Sequence, residues 1–156
     1  MSDFINKVVL FNEIAGTTAE FNTRKLALYM GLILEETQEM IREVANISGD
    51  EELVRFSTTL EKFATEFKRG DYDLAVANVN RKEVLDAAVD IAVVSVGAGI
   101  SVGADIAGAC MHIADNNLSK YNYNVLTGEY IVLKDINGKI MKPANYQKPE
   151  LGQFLK

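Results

Sequence analysis

Two pairs of carboxylates occur in the sequence at spacings that a helix places on one face. The first pair is Glu36 and Glu39, with Glu35 beside it, and the second is Glu83 and Asp86. Residues three or four positions apart are neighbours on a helix surface, so each pair can present two carboxylates side by side. Carboxylate oxygens are the ligands that hard divalent cations prefer. Two such helices would form a four-carboxylate pocket for one or two Mg²⁺ ions, which can bridge the oxygens of a phosphate chain.

The second pair opens an unusually apolar segment, residues 83–104, with the sequence EVLDAAVDIAVVSVGAGISVGA. A helix that is apolar on all sides is normally buried. Asp90 continues the acidic face one turn further. Because a buried carboxylate is costly unless it is paired or metal-bound, we expect these acids to hold a cation. Gly97, Gly99 and Gly103 in the same segment indicate either close helix–helix approach or a bend.

The first pair belongs to an amphipathic helix predicted over residues 24–45. Glu35, Glu39 and Glu43 follow one another at four-residue spacing, where like charges repel. A positive group between them would relieve that repulsion, and a metal ion is one such group. A solvated acidic helix face is the other interpretation of the same pattern, and it stays open at this point.

The remaining pattern predicts an all-α helical bundle with a small β-hairpin and an extended tail at its C-terminal end. Thr23, the pair Ser48 and Glu51, and Asp105 are the expected helix N-caps. Thr127-Gly128 and Asn137-Gly138 indicate turns. The five helices are expected at residues 4–14, 24–45, 50–68, 83–104 and about 105–121, with the hairpin at about 123–142 and hairpin and tail together at about 123–156, in one domain of 156 residues.

Two further groups of polar residues are candidates for binding a substrate. Asn117 and Lys120 lie one turn apart near a helix end, where the ammonium group could contact phosphate or simply cap the helix. The tail could close over a nucleotide, or it could be a solvated basic arm. Its candidate residues are Lys139, Lys142, Tyr146 and Lys148.

Composition narrows the function classes. The net charge of −6 argues against a nucleic-acid binder, which would carry a basic surface. Cys110 is the only cysteine and the N-terminus has no signal pattern, so we expect a reducing, cytoplasmic location. The apolar run that starts at Ile91 is shorter than the roughly 20 residues of a membrane span. His112 is the only histidine, which rules out a His-rich zinc site and counts against a ferritin-like di-iron bundle.

Four segments together resemble the all-α nucleoside triphosphate pyrophosphohydrolase superfamily, the MazG-like group, whose signature is EExxE followed by ExxD. The resemblance spans about residues 5–151 and is carried by LILEETQEM, EVLDAAVDIAVVSVGAGISVGAD, HIADNNLSKY and GKIMKPANYQKPEL. It is strongest to the phage and bacterial branch labelled phosphoribosyl-ATP pyrophosphohydrolase-like, which includes the phage MazZ-type dATP/dGTP diphosphohydrolases. The stretch from residue 48 to residue 80 is longer than the spacing typical of that branch.

The resemblance implies an oligomeric helical enzyme that cuts a nucleoside triphosphate, here a dNTP by expectation, between its α and β phosphates. It implies Mg²⁺ as cofactor, with Mn²⁺ as a substitute, and either Asp86 or Asp90 as the leading acid of the second motif. Glu35 and Asp90 would orient water or complete the metal shell. The implied roles are metal ligation by Glu36, Glu39, Glu83 and Asp86, catalysis by Glu35, Glu36, Glu39 and Asp90, and substrate binding by Asn117, Lys120, Lys142 and Tyr146.

The sequence thus predicts a Mg²⁺-dependent nucleotide pyrophosphohydrolase of the cytoplasm, or of the host cytoplasm if the chain is phage-encoded. We expect a homodimer or homotetramer, because the glycine-bearing helix carries more apolar surface than one small bundle can cover. No nucleic-acid or membrane partner is expected. The alternative is a non-catalytic helical bundle that binds a nucleotide or a protein partner through its acidic groove.

Overall fold

The computed structural model describes residues 2–72, 79–134 and 140–156, and its contacts divide the chain into two units. One unit is Ala19–Arg81, and the other combines Met1–Thr18 with Lys82–Lys156. The described part is mostly helical with one antiparallel hairpin, which confirms the all-α prediction. Its elements are α1 (Ser2–Ile14), α2 (Thr23–Ser48), α3 (Glu51–Arg69), α4 (Arg81–Ser101), α5 (Ile106–Leu118), β1 (Asn122–Asn124) and β2 (Glu129–Ile131).

The helix N-caps lie close to the predicted ones but are partly different residues. Asn22, rather than Thr23, caps α2, and its side chain accepts the backbone N–H of Lys25 at 2.9 Å. Asp50, rather than a pairing of Ser48 with Glu51, caps α3 by accepting two backbone N–H groups. The N-cap is the residue directly before the first helical residue, and Ser, Thr, Asp and Asn can all fill it. Where several of these residues are close together in the sequence, each is a possible N-cap.

The unit Ala19–Arg81 is a helical hairpin in which α2 packs along α3. Gly31 allows the close approach, because a Cβ there would lie 2.8 Å from the carbonyl oxygen of Ala64. Inside the interface, Gln38 donates a buried hydrogen bond of 2.9 Å to the hydroxyl of Ser57. At the open end, the guanidinium of Arg24 donates to the carbonyl of Lys68 at 3.2 Å, which satisfies a helix C-terminus.

In the other unit, α1 packs on α5 across a long sequence separation. The rings of Phe11 and Tyr121 are 5.2 Å apart, and the Tyr121 hydroxyl donates to the Phe11 carbonyl at 3.0 Å. Lys7 also forms an ion pair with Asp115. Tyr121 is only 4% exposed, so this contact is the centre of the small core that holds the chain's first helix.

The predicted hairpin is present with its first turn at the expected place. Tyr123 pairs with Tyr130, and Gly128 closes the connection at φ 73°. The second turn signal, Asn137-Gly138, lies outside the described residues, as does Lys139, and a backbone bridge joins Lys134 to Ile140 on either side of it. Beyond the hairpin, the tail runs back along α5.

The end of the tail is fixed against the start of α5. Phe154 accepts the backbone N–H of Asp105 through its carbonyl at 2.8 Å, and its ring lies beside Gly108, where an added Cβ would be only 3.0 Å away. The ring is also 5.5 Å from the imidazole of His112. Asp105 caps α5 as predicted, accepting the N–H of Gly108 at 3.2 Å.

The burial expected for α4 is wrong for the single chain. None of its residues is buried, and Leu85, Val93 and Ile100 are 61–65% exposed. Within its unit, α1 and the C-terminal turn pack on α5, while α4 touches α5 near their connection, where a Cβ on Gly99 would meet Ile106 at 2.4 Å. The apolar character of α4 was therefore predictable from the sequence, and its exposure was not.

The glycines of the α4 segment divide between the two predicted interpretations. Gly99 marks close approach, whereas Gly97 faces open space and Gly103 follows the helix at φ 78°, in a turn. By length and composition α4 could also cross a membrane, a test that core helices of soluble proteins pass as well. That finding is weak evidence and leaves the location of the protein open.

Candidate functional site

The acids of α2 border a polar cavity within the α2–α3 hairpin. The cavity has a volume of about 130 Å³, and its lining includes Glu35, Glu39 and Glu61. Two cations, Arg42 and Lys68, line the same cavity. The Lys68 ammonium donates to the Glu35 carboxylate at 2.6 Å, and this contact is partly buried. The positive charge that the glutamate spacing called for is therefore supplied at least in part by the protein itself.

Sequence reasoning missed Glu61 and Lys68 as members of this cluster. They lie seven residues apart on α3, so two turns of that helix place them on one side. The seven-residue spacing is visible in the sequence. It indicates a shared site with the acids of α2 only once the register of α3 against α2 is known. Glu36 is exposed and does not line the cavity, whereas its sequence neighbour Glu35 does.

The acids of α4 share one exposed face. Glu83, Asp86 and Asp90 are all exposed, which removes the desolvation cost that the sequence argument assigned to them. A carboxylate in water needs no counter-ion for the helix to form. The exposure of these three acids therefore gives no sign that they require a bound ion.

The donor set suits a hard cation, because every candidate ligand is a carboxylate oxygen. Within neither unit do the described residues bring three acidic, histidine or cysteine side chains close enough to hold a metal ion. A pair of carboxylates on either helix would therefore need further ligands, such as those of a substrate, to complete the shell of an ion. Mg²⁺ commonly takes only one or two protein carboxylates together with phosphate oxygens.

The candidate substrate-binding residues cluster at the end of α5. The Lys120 ammonium donates to the carboxamide oxygen of Asn117 at 2.6 Å and lies 5.6 Å from the ring centre of Phe11. In the tail, the Lys142 ammonium lies 4.6 Å from the ring centre of Tyr146. The structure thus joins these four candidates into two pairs, one on the helix and one on the tail.

Asn116 links the tail pair to α5 and was missed by sequence reasoning. It accepts the Tyr146 hydroxyl at 2.8 Å and donates to the Gln147 carbonyl at 2.7 Å. The doubled asparagine, Asn116-Asn117, was the available signal. Lys148, the remaining described tail candidate, is exposed.

Cys110 lies in surroundings that disfavour its thiolate form. Burial raises the pKa of its thiol, which keeps the group protonated at neutral pH. The Nε2 atom of His112 is buried, and within the described part of the chain it has no hydrogen-bond partner.

Comparison of the chain with protein-family models, curated proteins and solved structures finds no match. The resemblance to the MazG-like group therefore rests on the motifs quoted for it. Both signature motifs do fall on regular helices, EExxE on α2 and ExxD on α4.

Proposed function

We propose that the chain is a Mg²⁺-dependent nucleotide pyrophosphohydrolase of the MazG-like superfamily. Its substrate would be a nucleoside triphosphate, preferentially a dNTP, and its products a monophosphate and pyrophosphate. The observation that carries the proposal is the pair of acidic motifs, each of which lies on a regular helix with carboxylates that solvent can reach. The Asn117–Lys120 pair adds a fixed ammonium group suited to a phosphate oxygen.

Glu36 and Glu39 of α2 and Glu83 and Asp86 of α4 would hold the metal. Bound Mg²⁺, or Mn²⁺ in its place, would neutralise part of the triphosphate charge and polarise the α-phosphorus. The proposal requires both acidic pairs to act on one substrate, either within a chain or between copies of it.

The other carboxylates would handle the attacking water. Glu35 accepts a hydrogen bond from the Lys68 ammonium at 2.6 Å, which holds its carboxylate in place, and it is the first candidate general base. Asp90 extends the α4 face and is the second candidate base. Either carboxylate would take a proton from the water as its oxygen bonds to the α-phosphorus, while the bond to the leaving pyrophosphate breaks in line.

We further propose that the working form is a homodimer or homotetramer in the cytoplasm. The support is the exposed apolar surface of α4, which a second copy would cover. Neither nucleic acid nor a membrane has a role in this proposal.

The test is a turnover assay over a panel of NTPs and dNTPs with Mg²⁺, resolving monophosphate, diphosphate, phosphate and pyrophosphate. Glu39→Gln and Asp86→Asn should each lower turnover by at least about a hundredfold, the size of a general acid–base or metal-ligand contribution. Glu52→Gln, which alters an exposed acid of α3 in the same way, should leave turnover unchanged.

Two results would count against the proposal. Release of inorganic phosphate would show cleavage at a different bond. Absence of turnover for every nucleotide, with the protein folded and Mg²⁺ present, would favour the non-catalytic binding bundle instead.

A further inference from the structure

Asn116 is the residue through which the tail is fixed to α5. Its Nδ2 donates to the Gln147 carbonyl at 2.7 Å, and its Oδ1 accepts the Tyr146 hydroxyl at 2.8 Å. Because a carbonyl oxygen can only accept, the Gln147 contact fixes which end of the carboxamide faces which partner. A carboxylate or an aliphatic side chain of the same size cannot make both contacts.

The same anchor governs the position of Lys142. The Lys142 ammonium lies 4.6 Å from the ring centre of Tyr146, a cation–π geometry. Tyr146 also donates its backbone N–H to the carbonyl of Pro143 at 3.0 Å, so this part of the tail is a closed turn. A tail that lost its anchor on Asn116 would therefore carry the Lys142 ammonium away with it.

The second ammonium group is anchored one residue further along the helix. Lys120 is held by Asn117 at 2.6 Å, and Asn117 directly follows Asn116. Both anchors therefore belong to the last turn of α5, which ends at Leu118. A pair of fixed ammonium groups suits a polyphosphate, which carries several negative charges along a short chain.

We propose that Asn116 is a positioning residue for polyphosphate recognition. It holds Tyr146, Tyr146 holds Lys142, and Lys142 then acts with Lys120 on the same phosphate chain. Asn116 itself does not touch the substrate. The choice of a polyphosphate as ligand rests on the proposed function, whereas the anchoring of the tail does not.

The test is a double-mutant cycle on the full chain, with inorganic tripolyphosphate as the probe and calorimetry as the measurement. Lys142→Ala should weaken binding about tenfold, as expected for loss of one charged contact. Asn116→Ala should weaken it by a similar factor, and the double variant should be no worse than Lys142→Ala alone. Lys134→Ala, which removes an exposed hairpin lysine, is the control for net charge and should change affinity less than threefold.

Additive losses in the double variant would overturn the positioning role, because an independent structural effect does not depend on Lys142. Should Asn116→Ala fail to fold, Tyr146→Phe replaces it in the cycle, since it removes one anchoring bond and keeps the ring. Wild-type protein that does not bind tripolyphosphate would overturn the subsite.

Nucleotide turnover measured on the same preparations separates this inference from the proposed function. Turnover without coupling between Asn116 and Lys142 contradicts only the positioning role. Coupling without turnover supports the anion subsite and contradicts the hydrolase.

Discussion

A hydrogen bond at the end of α3 raises the pKa of one tyrosine, Tyr72. The Tyr72 hydroxyl donates to the Glu66 carboxylate at 2.6 Å, and its ring lies 4.4 Å from that of Phe67. This hydrogen bond is the main cause that raises the pKa of Tyr72 above its ordinary value, with desolvation and the negative charges of Glu66 and Asp71 adding to it. Protonated Tyr72 therefore contributes to the stability of its unit.

The sign of the pH dependence follows from that shift. A pKa that is higher in the folded state gives stability that is complete below the unfolded value of 10.0 and is lost as pH rises through the folded value. Urea unfolding between pH 8 and 11 should show the wild type losing more stability at the alkaline end than Tyr72→Phe. Parallel pH profiles for the two proteins would contradict the assignment.

A side chain at Gly31 should destabilise the α2–α3 hairpin. A Cβ at this position would lie 2.8 Å from the Ala64 carbonyl oxygen and 2.8 Å from the Cγ of Lys68. Overpacking of this kind costs about 1–3 kcal/mol, so Gly31→Ala should lower the free energy of unfolding by that amount. Thr37→Ala, on the exposed face of the same helix, should stay within about 0.5 kcal/mol. Equal free energies of unfolding for the two variants would show that α2 and α3 can move apart to admit the added Cβ without a loss of stability.

At the scale of single residues, the sequence predicted the features that depend only on neighbouring positions in the chain, such as helix caps. Asp105 was identified as a cap because it directly precedes an apolar helix. Glu35 was identified as a charge in need of a partner, but Lys68 was not identified as that partner. The two are 33 residues apart, and only the register of one helix against another brings them together.

Among the elements, α4 carries the clearest consequence. Leu85, Val93 and Val94 of this helix are 64–66% exposed, and exposed apolar side chains grouped on one element are typical of an interaction surface. Burial of each such side chain contributes about 1.5–3 kcal/mol, enough for a few of them to drive association. We expect the chain to associate with its own copies through this helix.

Val93→Asp tests that expectation, because Val93 is 64% exposed in the middle of α4. Light scattering coupled to size-exclusion chromatography should show a wild-type dimer or tetramer and a monomeric variant. Val125→Asp, at a hairpin position that is 81% exposed, should keep the wild-type mass. A monomeric wild type that binds lipid vesicles would instead favour a membrane role for α4.

Helix positions were predictable because apolar periodicity is a local property. The predicted and observed starts of α3 and α4 differ by one and two residues, 50 against 51 and 83 against 81. The exposure of α4 was not predictable, because periodicity shows which sides of a helix are apolar but not which molecule covers them.

In the molecule as a whole, the two acidic motifs belong to different units. EExxE lies in Ala19–Arg81 and ExxD in Lys82–Lys156, and no pattern in the sequence predicted this division. A discontinuous unit depends on long-range pairs such as Phe11 with Tyr121, which no local pattern reveals. The metal ligands named from the sequence, and their assembly into one site, therefore stay a prediction.

Metal binding should be visible in the stability of the intact protein. An ion that binds only the folded state stabilises it by about 2.7 kcal/mol at one hundred times its dissociation constant. Titration with Mg²⁺ should therefore raise the melting temperature of the wild type, and Glu39→Gln and Asp86→Asn should reduce that rise. The same rise in both variants would place the ion elsewhere, and Glu52→Gln again serves as the control.

The pairing of α1 with α5 sets an order of events during synthesis on the ribosome. Residues Ala19–Arg81 form a contiguous unit and can fold as soon as they emerge, whereas Phe11 must wait for Tyr121, 110 residues later. At about 5–20 residues per second, that wait lasts on the order of 5–20 seconds. During it, the first helix is an unpartnered amphipathic segment on the nascent chain. Exposed apolar surface on an incompletely folded chain is prone to aggregation, so the N-terminal helix is where newly made chains would first need protection.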